Sequence, residues 1–239
     1  MKQLFLIGFF SLTLVSCNNE TSQVNKKNNQ SKVTSKGFEI IGSVENFYPA
    51  KVYLNKIIEN SIYSIDSSEI IDNHFTFKGI VEYPERFAIT FENYSSIALL
   101  IIENTTFDVI ISSEAIDSPL IKGSKLNSEL YDYKVASKNI FKKIDYLFPQ
   151  FQKARLENDA QKLEEIEIEM KKIENEFTKF SYNFIAQYRT SFIAPMILGD
   201  QLKSSNIDTL LIKKTYQLLA PEVKNSPDAE IIASFLNLH

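Results

Sequence analysis

The feature of this sequence that most constrains its fold is a change in hydrophobic period near residue 125. Beyond that point the seam residues recur at alternating spacings of three and four, over residues 130–151 and again over residues 163–184. A heptad pattern of this length predicts long helices that each carry one apolar seam. We therefore predict a long antiparallel helix hairpin that turns at residues 156–159 and is kinked at Pro149. Its seam closes either within one chain or between two copies. The seam residues are Leu130, Tyr133, Ser137, Ile140, Ile144, Leu147 and Phe151, then Leu163, Ile166, Met170, Ile173, Phe177, Phe180 and Phe184.

Before residue 125 the hydrophobic period is two, which is typical of strands with one buried face. Phe75 and Phe77 alternate with polar neighbours, and Phe87, Ile89 and Phe91 follow the same pattern. We predict about seven or eight short strands that form an antiparallel β-sandwich or open barrel. Residues 97–102 are apolar throughout, as in a strand that is covered on both faces. Turn-forming residues separate the runs at positions 46–49, 72–73, 83–85, 103–104 and 112–118.

The predicted fold class is thus α+β, with a β-sandwich or open-barrel domain over residues 37–124 and a helical domain over residues 125–239. Two or three shorter helices complete the helical domain. Residues with side chains that cap helix N-termini precede them. These are Ser191, then Ser205 or Asn206, and finally Ser226, which is followed by Pro227 and two acidic residues.

The N-terminus has the pattern of a bacterial lipoprotein signal. A lysine precedes an apolar run that is too short to span a bilayer, and the run ends in Leu14, Val15, Ser16 and Cys17. We predict a signal peptide over residues 1–16, lipid attachment at Cys17 and a polar tether over residues 17–36. The predicted location is the cell envelope, with the membrane bound through the lipid. Which membrane and which leaflet remain open, and the alternative is that Cys17 is an ordinary buried thiol.

No residue pattern points to a cofactor or a metal. Cys17 is the only cysteine, so a lipidated chain has no free thiol, and the two histidines are His74 and the terminal His239. The six glycines are isolated, which excludes a phosphate-binding loop, and the net charge of −4 with scattered basic residues argues against nucleic acid as a partner. Asp66 and Glu103 are candidates for acid–base chemistry, but the sequence favours turn-forming roles for both.

Short motifs in the strand region resemble the domain of unknown function 4369 family. In that family the domain is commonly the N-terminal half of lipoproteins whose C-terminal half is a thioredoxin-like oxidoreductase with a Cys-x-x-Cys motif. This chain has no cysteine pair, and it has Asp72, Asn73 and His74 where the family pattern suggests a glycine-containing turn. The resemblance implies fold and location and supplies no catalytic residue. The motifs are Phe38 to Gly42, Val52 to Leu54, Ile65 to Ser67, Phe75 to Gly79 with Pro84, Ile101 to Asn104, Ile121 to Asn127, Phe184 to Ala186 with Ser191, and Ser226-Pro227.

Three functional hypotheses follow from these observations. The first is a non-catalytic binding or scaffolding lipoprotein with an envelope protein as its partner. The second is a truncated or split oxidoreductase that needs a separate Cys-x-x-Cys protein. The third, an envelope hydrolase that uses Asp66 or Glu103, has the least support.

Overall fold

In the computed structural model of this protein, residues 37–58, 61–204 and 207–238 are described. The predicted signal peptide, Cys17, the tether over residues 17–36 and His239 lie outside the described residues. Those parts of the sequence analysis therefore stay predictions.

The N-terminal part consists of eight strands in two four-stranded sheets, with strand orders β4-β1-β7-β8 and β3-β2-β5-β6. The α+β class is confirmed, and the described strands form no closed barrel. The strands are β1 (Phe38–Glu45), β2 (Lys51–Ile58), β3 (Ser61–Glu69), β4 (His74–Gly79), β5 (Glu85–Phe91), β6 (Ile97–Ile102), β7 (Thr106–Ser112) and β8 (Leu120–Lys122).

The alternating apolar residues form the core between the two sheets. Phe75, Phe77, Phe87, Ile89 and Phe91 are all buried there, as the period of two predicts. All strand pairs are antiparallel except β1 and β7, which run parallel. Parallel pairing needs a long connection, and the chain makes it through the strands that lie between β1 and β7 in sequence.

The β3–β4 connection shows why a glycine is dispensable there. Asp72 and Asn73 both have positive φ, 51° and 64°. Asn and Asp tolerate this left-handed region better than other side chains. The two residues thus make the tight turn that the family pattern achieves with glycine.

Five helices follow the strands: α1 (Lys125–Glu157), α2 (Ala160–Gln187), α3 (Ile193–Asp200), α4 (Thr209–Leu218) and α5 (Pro227–Phe235). Antiparallel contacts between α1 and α2 confirm the predicted hairpin. The hydroxyls of Tyr133 and Ser181 are 2.8 Å apart, and the rings of Phe141 and Phe177 are 4.7 Å apart. Pro149 lies inside α1, and the kink there stays a prediction.

The caps of the shorter helices differ from the predictions in two of three cases. Ser226 caps α5 by accepting from the Ala229 N–H, as predicted. The cap of α4 is Asp208, and Ser205 and Asn206 lie outside the described residues. The cap position of α3 is Phe192 because the Ser191 hydroxyl donates instead to the carboxylate of Glu129.

The apolar run of β6 predicts a strand covered on both faces, and this is correct for only part of its length. Leu100 and Ile102 face the sandwich core, and Ile101 on the opposite face packs into the hydrophobic cluster of the helices. Leu99 also faces away from the sandwich core but is 43% exposed. The helices therefore cover one end of β6 and leave the face at Leu99 open.

Candidate functional site

The two carboxylates suggested by the sequence do not come together. Asp66 lies within the exposed strand β3, so the prediction that it forms a turn is wrong, and its Oδ1 accepts from the Ser67 N–H at 2.7 Å. Glu103 directly follows β6, at the opposite edge of the same sheet. With strands about 4.8 Å apart, roughly 14 Å separates the two edges. His74 is exposed, and its Nδ1 bonds the backbone oxygen of Asp72 at 2.6 Å.

Glu103 lies in a loop, as predicted, but it acts on a distant segment. Its Oε1 accepts from the Ser124 hydroxyl at 2.5 Å and from the Leu126 N–H at 3.2 Å. Ser124 is the N-cap of α1 and accepts from the Asn127 N–H. A carboxylate beside the first turn of a helix also interacts favourably with its dipole. Glu103 therefore fixes the start of α1 against the end of β6.

The side-chain amide of Asn127 continues this attachment. Its Oδ1 accepts from the Ile101 N–H at 2.9 Å, and its Nδ2 donates to the Ile101 carbonyl at 2.7 Å. Asn127 is 5% exposed, and Nδ2 donates further to the Ser124 hydroxyl. Because β6 is an edge strand, Ile101 has no neighbouring strand on this side. The Asn127 amide supplies the donor and acceptor that such a strand would supply.

Sequence analysis missed Asn127, although a signal was present. Ser124 and Asn127 have the spacing of a capping box, in which the residue at N3 is Glu or Gln and bonds back to the cap residue. An amide at N3 was therefore visible in the sequence. Its contact with Ile101 required knowledge that β6 lies beside the start of α1.

A groove opens next to this attachment, between the edge strands β6 and β8 on one side and α1 on the other. Its volume is about 370 Å³. Four of its apolar side chains, those of Leu99, Leu120, Tyr131 and Val135, are between 41% and 64% exposed. An apolar concave surface with a few polar groups is typical of binding sites. We call this feature the β6–α1 groove.

The edge of β6 presents backbone groups to the β6–α1 groove. In an antiparallel pair, residues alternate between those that bond the partner strand and those that point away from it. Ile101 points away from β5, towards Asn127, so Leu99 must point the same way. Among the described residues, no group bonds the N–H or the C=O of Leu99.

Charged residues of α1 line the same groove. Lys134 and Lys138 lie one turn apart, and Asp132 is on the opposite side of Lys134 in sequence. Neither lysine forms a salt bridge within the described part of the chain. Burial, and then the positive charge of Arg86, lower the pKa of Lys134, while Asp117 opposes this shift.

Arg86 belongs to a cluster of charges that ties the helices to β5. Its guanidinium donates two parallel hydrogen bonds to the Asp200 carboxylate, at 2.8 and 2.7 Å. Asp228, in the first turn of α5, lies near both groups. Burial raises the pKa of Asp228, Arg86 opposes the shift, and Asp200 adds to it. The cluster holds α3 and α5 against the sheet.

Replacement of Asp228 by asparagine is expected to change how stability depends on pH. The pKa of Asp228 is higher in the folded state than in the unfolded state, where it is about 3.9. The folded state thus binds this proton more tightly, and the stability gained is lost as pH rises through the folded pKa. Relative to wild type, Asp228→Asn should therefore be more favourable at pH 7 than at pH 4, as measured by urea unfolding at both values. Glu230→Gln, on the same helix turn, is the control. An equal difference between Asp228→Asn and wild type at the two pH values would contradict the assignment.

Two searches of the described residues returned nothing. No group of three or more His, Cys, Asp or Glu could hold a metal ion there. Within residues 37–58, 61–204 and 207–238, no helix has the length and hydropathy needed to cross a membrane.

Comparison with known proteins gave one match. No curated protein and no solved structure is significantly similar to this chain. A family model does match, over a segment that runs from β1 to the second turn of α1 and includes Leu99 and Asn127. Residues 38–130 match the family described as Domain of unknown function (DUF4369), which confirms the resemblance found in the sequence motifs.

Proposed function

We propose that this protein is a non-catalytic binding protein of the cell envelope, attached to the membrane by lipid on Cys17, and that the β6–α1 groove is its binding surface. The observation that carries the proposal is the open, largely apolar groove beside an edge strand with unpaired backbone groups. Exposed apolar patches of this kind mark interaction sites more often than catalytic sites. The role of Glu103 as a helix cap supports the non-catalytic part, because it engages the carboxylate that the hydrolase hypothesis needed.

A photo-crosslinking amino acid in place of Tyr131 tests the position of the binding surface. Tyr131 lines the groove and is 64% exposed. Tyr146 is on the same helix and 76% exposed, but about 22 Å further along α1 and away from the groove. We expect a discrete crosslinked product in the source cells from position 131 and none from position 146, detected as a mass shift of the full-length protein.

The identity of the crosslinked product also separates the two leading hypotheses. A partner with a Cys-x-x-Cys motif would favour the split oxidoreductase, and a partner without one would favour the binding protein. Equal products from both positions, or none from position 131, would contradict the groove as the binding surface.

A further inference from the structure

We propose that the β6–α1 groove binds an extended polypeptide segment, which adds to β6 as a further strand and places a carboxylate side chain beside Lys134. This inference rests on the proposed function, because it assumes that the groove is the binding surface. It adds the chemical class of the partner and the way in which it binds.

The backbone of β6 carries the first part of the argument. Leu99 directs an N–H and a C=O to the groove, two residues from the pair at Ile101 that the Asn127 amide already satisfies. A partner that satisfies Leu99 must offer an acceptor and a donor about 6.7 Å from that amide. An extended peptide offers this pair in every second residue. A lipid chain offers neither group, and its binding would leave both polar groups of Leu99 buried and unpaired, at a cost of about 1–3 kcal/mol each.

Asn127 also limits where the added strand can lie. Its amide occupies the position of a neighbouring peptide group at Ile101, so an incoming strand cannot pair with β6 at that residue. Pairing is therefore confined to Leu99 and the start of β6 at Ile97. The partner segment is short, and only a few of its residues contact β6.

The walls of the groove specify the side chains of the partner. Leu99 and Leu120 on the strand side and Tyr131 and Val135 on the helix side are exposed apolar groups. Successive side chains of an extended segment point to opposite sides. One side would then contact these apolar residues, which favours apolar residues at every second position of the partner.

The charges of the groove specify the remaining preference. Lys134 and Lys138 have no salt-bridge partner in the described chain, whereas Asp132 is the single acid that lines the groove. A partially buried ammonium without a counter-ion is stabilised by a carboxylate placed beside it. The groove therefore favours an acidic residue in the partner over a basic one.

Synthetic peptides test strand addition directly. The probes are four acetylated and amidated nonapeptides of alternating valine and threonine, each with one glutamate at a different central position. Each is added to the full-length lipidated chain in detergent, and binding is measured by fluorescence anisotropy. We expect at least one peptide to bind and to slow hydrogen exchange at the Leu99 amide by about tenfold or more.

Backbone methylation then identifies the binding mode. In the bound peptide, alternate N–H groups face β6, so methylation of one alternate set should weaken binding about tenfold or more. Methylation of the other set should leave binding unchanged. Replacement of the glutamate by lysine should weaken binding about threefold, and the Lys134→Glu variant should reverse that preference.

Variants of the protein provide the matched comparison. Leu99→Pro removes the outward N–H without loss of a ladder bond, since edge strands tolerate proline at such positions, and it should abolish binding. Leu99→Thr keeps the N–H and should retain binding. Circular dichroism establishes that both variants fold, and Lys134→Glu supplies the test if Leu99→Pro does not.

Four outcomes would overturn strand addition: no binding by any of the four peptides, equal binding by both methylated sets, unchanged binding by folded Leu99→Pro, or dimerisation of the chain through β6 in sedimentation experiments. None of these would remove a crosslinked partner at position 131. Failure of strand addition is thus distinguishable from failure of the proposed function.

Discussion

Replacement of Asn127 by leucine is expected to lower the free energy of unfolding by about 3 kcal/mol. Leucine has the same branched outline as asparagine, so the packing around position 127 changes little. The N–H and the C=O of Ile101 lose their partners, and each unsatisfied buried group costs about 1–3 kcal/mol. Ile101 is fully buried, so water reaches these groups poorly. Urea unfolding at neutral pH measures the loss.

The neighbouring residue supplies the control. Ser128 also lies in the first turn of α1, but its hydroxyl donates only to the Ser124 carbonyl one turn earlier. Ser128→Ala should therefore change the free energy of unfolding by less than about 1 kcal/mol. If Asn127→Leu were as mild as Ser128→Ala, the amide of Asn127 would not be what joins α1 to β6.

Local periodicity was enough to predict the elements of the fold. Each apolar alternation in the N-terminal part became a strand with that face buried, because the period of a strand is independent of its partners. Pairing between sequence-distant strands has no such local signature. The parallel contact of β1 with β7 joins residues such as Ile40 and Phe107, and nothing in either segment indicates the other.

The helix seam shows the same limit. The heptad pattern predicted the hairpin, and Ile166, Ile173 and Phe184 are buried in its seam. Ile185 lies outside the seam and is nevertheless fully buried, because the end of α2 also packs into the cluster that contains α3. A pattern on one helix predicts its main contact face but not additional faces that later elements cover.

The candidate site was not predictable because its parts belong to separate elements. The sequence identifies Glu103 as a polar residue in a turn, and Leu99 as one residue of a strand covered on both faces. Their actual roles depend on the position of α1, which covers β6 at Ile101 and leaves it open at Leu99. Only the three-dimensional arrangement joins an exposed leucine, an edge strand and two unpaired lysines into one groove.

Replacement of Cys17 by serine is expected to remove lipid from the protein completely. The thiol is the atom that the predicted modification uses, and a hydroxyl is a poor substitute for it. Each acyl CH₂ buried in a membrane contributes about 0.8 kcal/mol, so loss of two or more chains removes most of the affinity for the bilayer. Metabolic labelling with an alkyne fatty acid should label the wild-type chain and leave Cys17→Ser unlabelled.

A second pair of variants separates the anchor from the export signal, because the apolar run of an unprocessed chain could itself retain the protein at the membrane. When residues 1–16 are replaced by an ordinary cleavable signal peptide, Cys17→Ser should appear in the soluble envelope fraction. The double variant Cys17→Ser, Ser22→Cys carries its thiol five residues beyond the motif and should remain unlabelled. Fatty-acid labelling of Cys17→Ser would contradict lipid attachment at this residue. Labelling of the double variant would show that position within the motif does not matter. With the anchor established, the β6–α1 groove would be held at the membrane surface, where only partners in the same compartment can reach it.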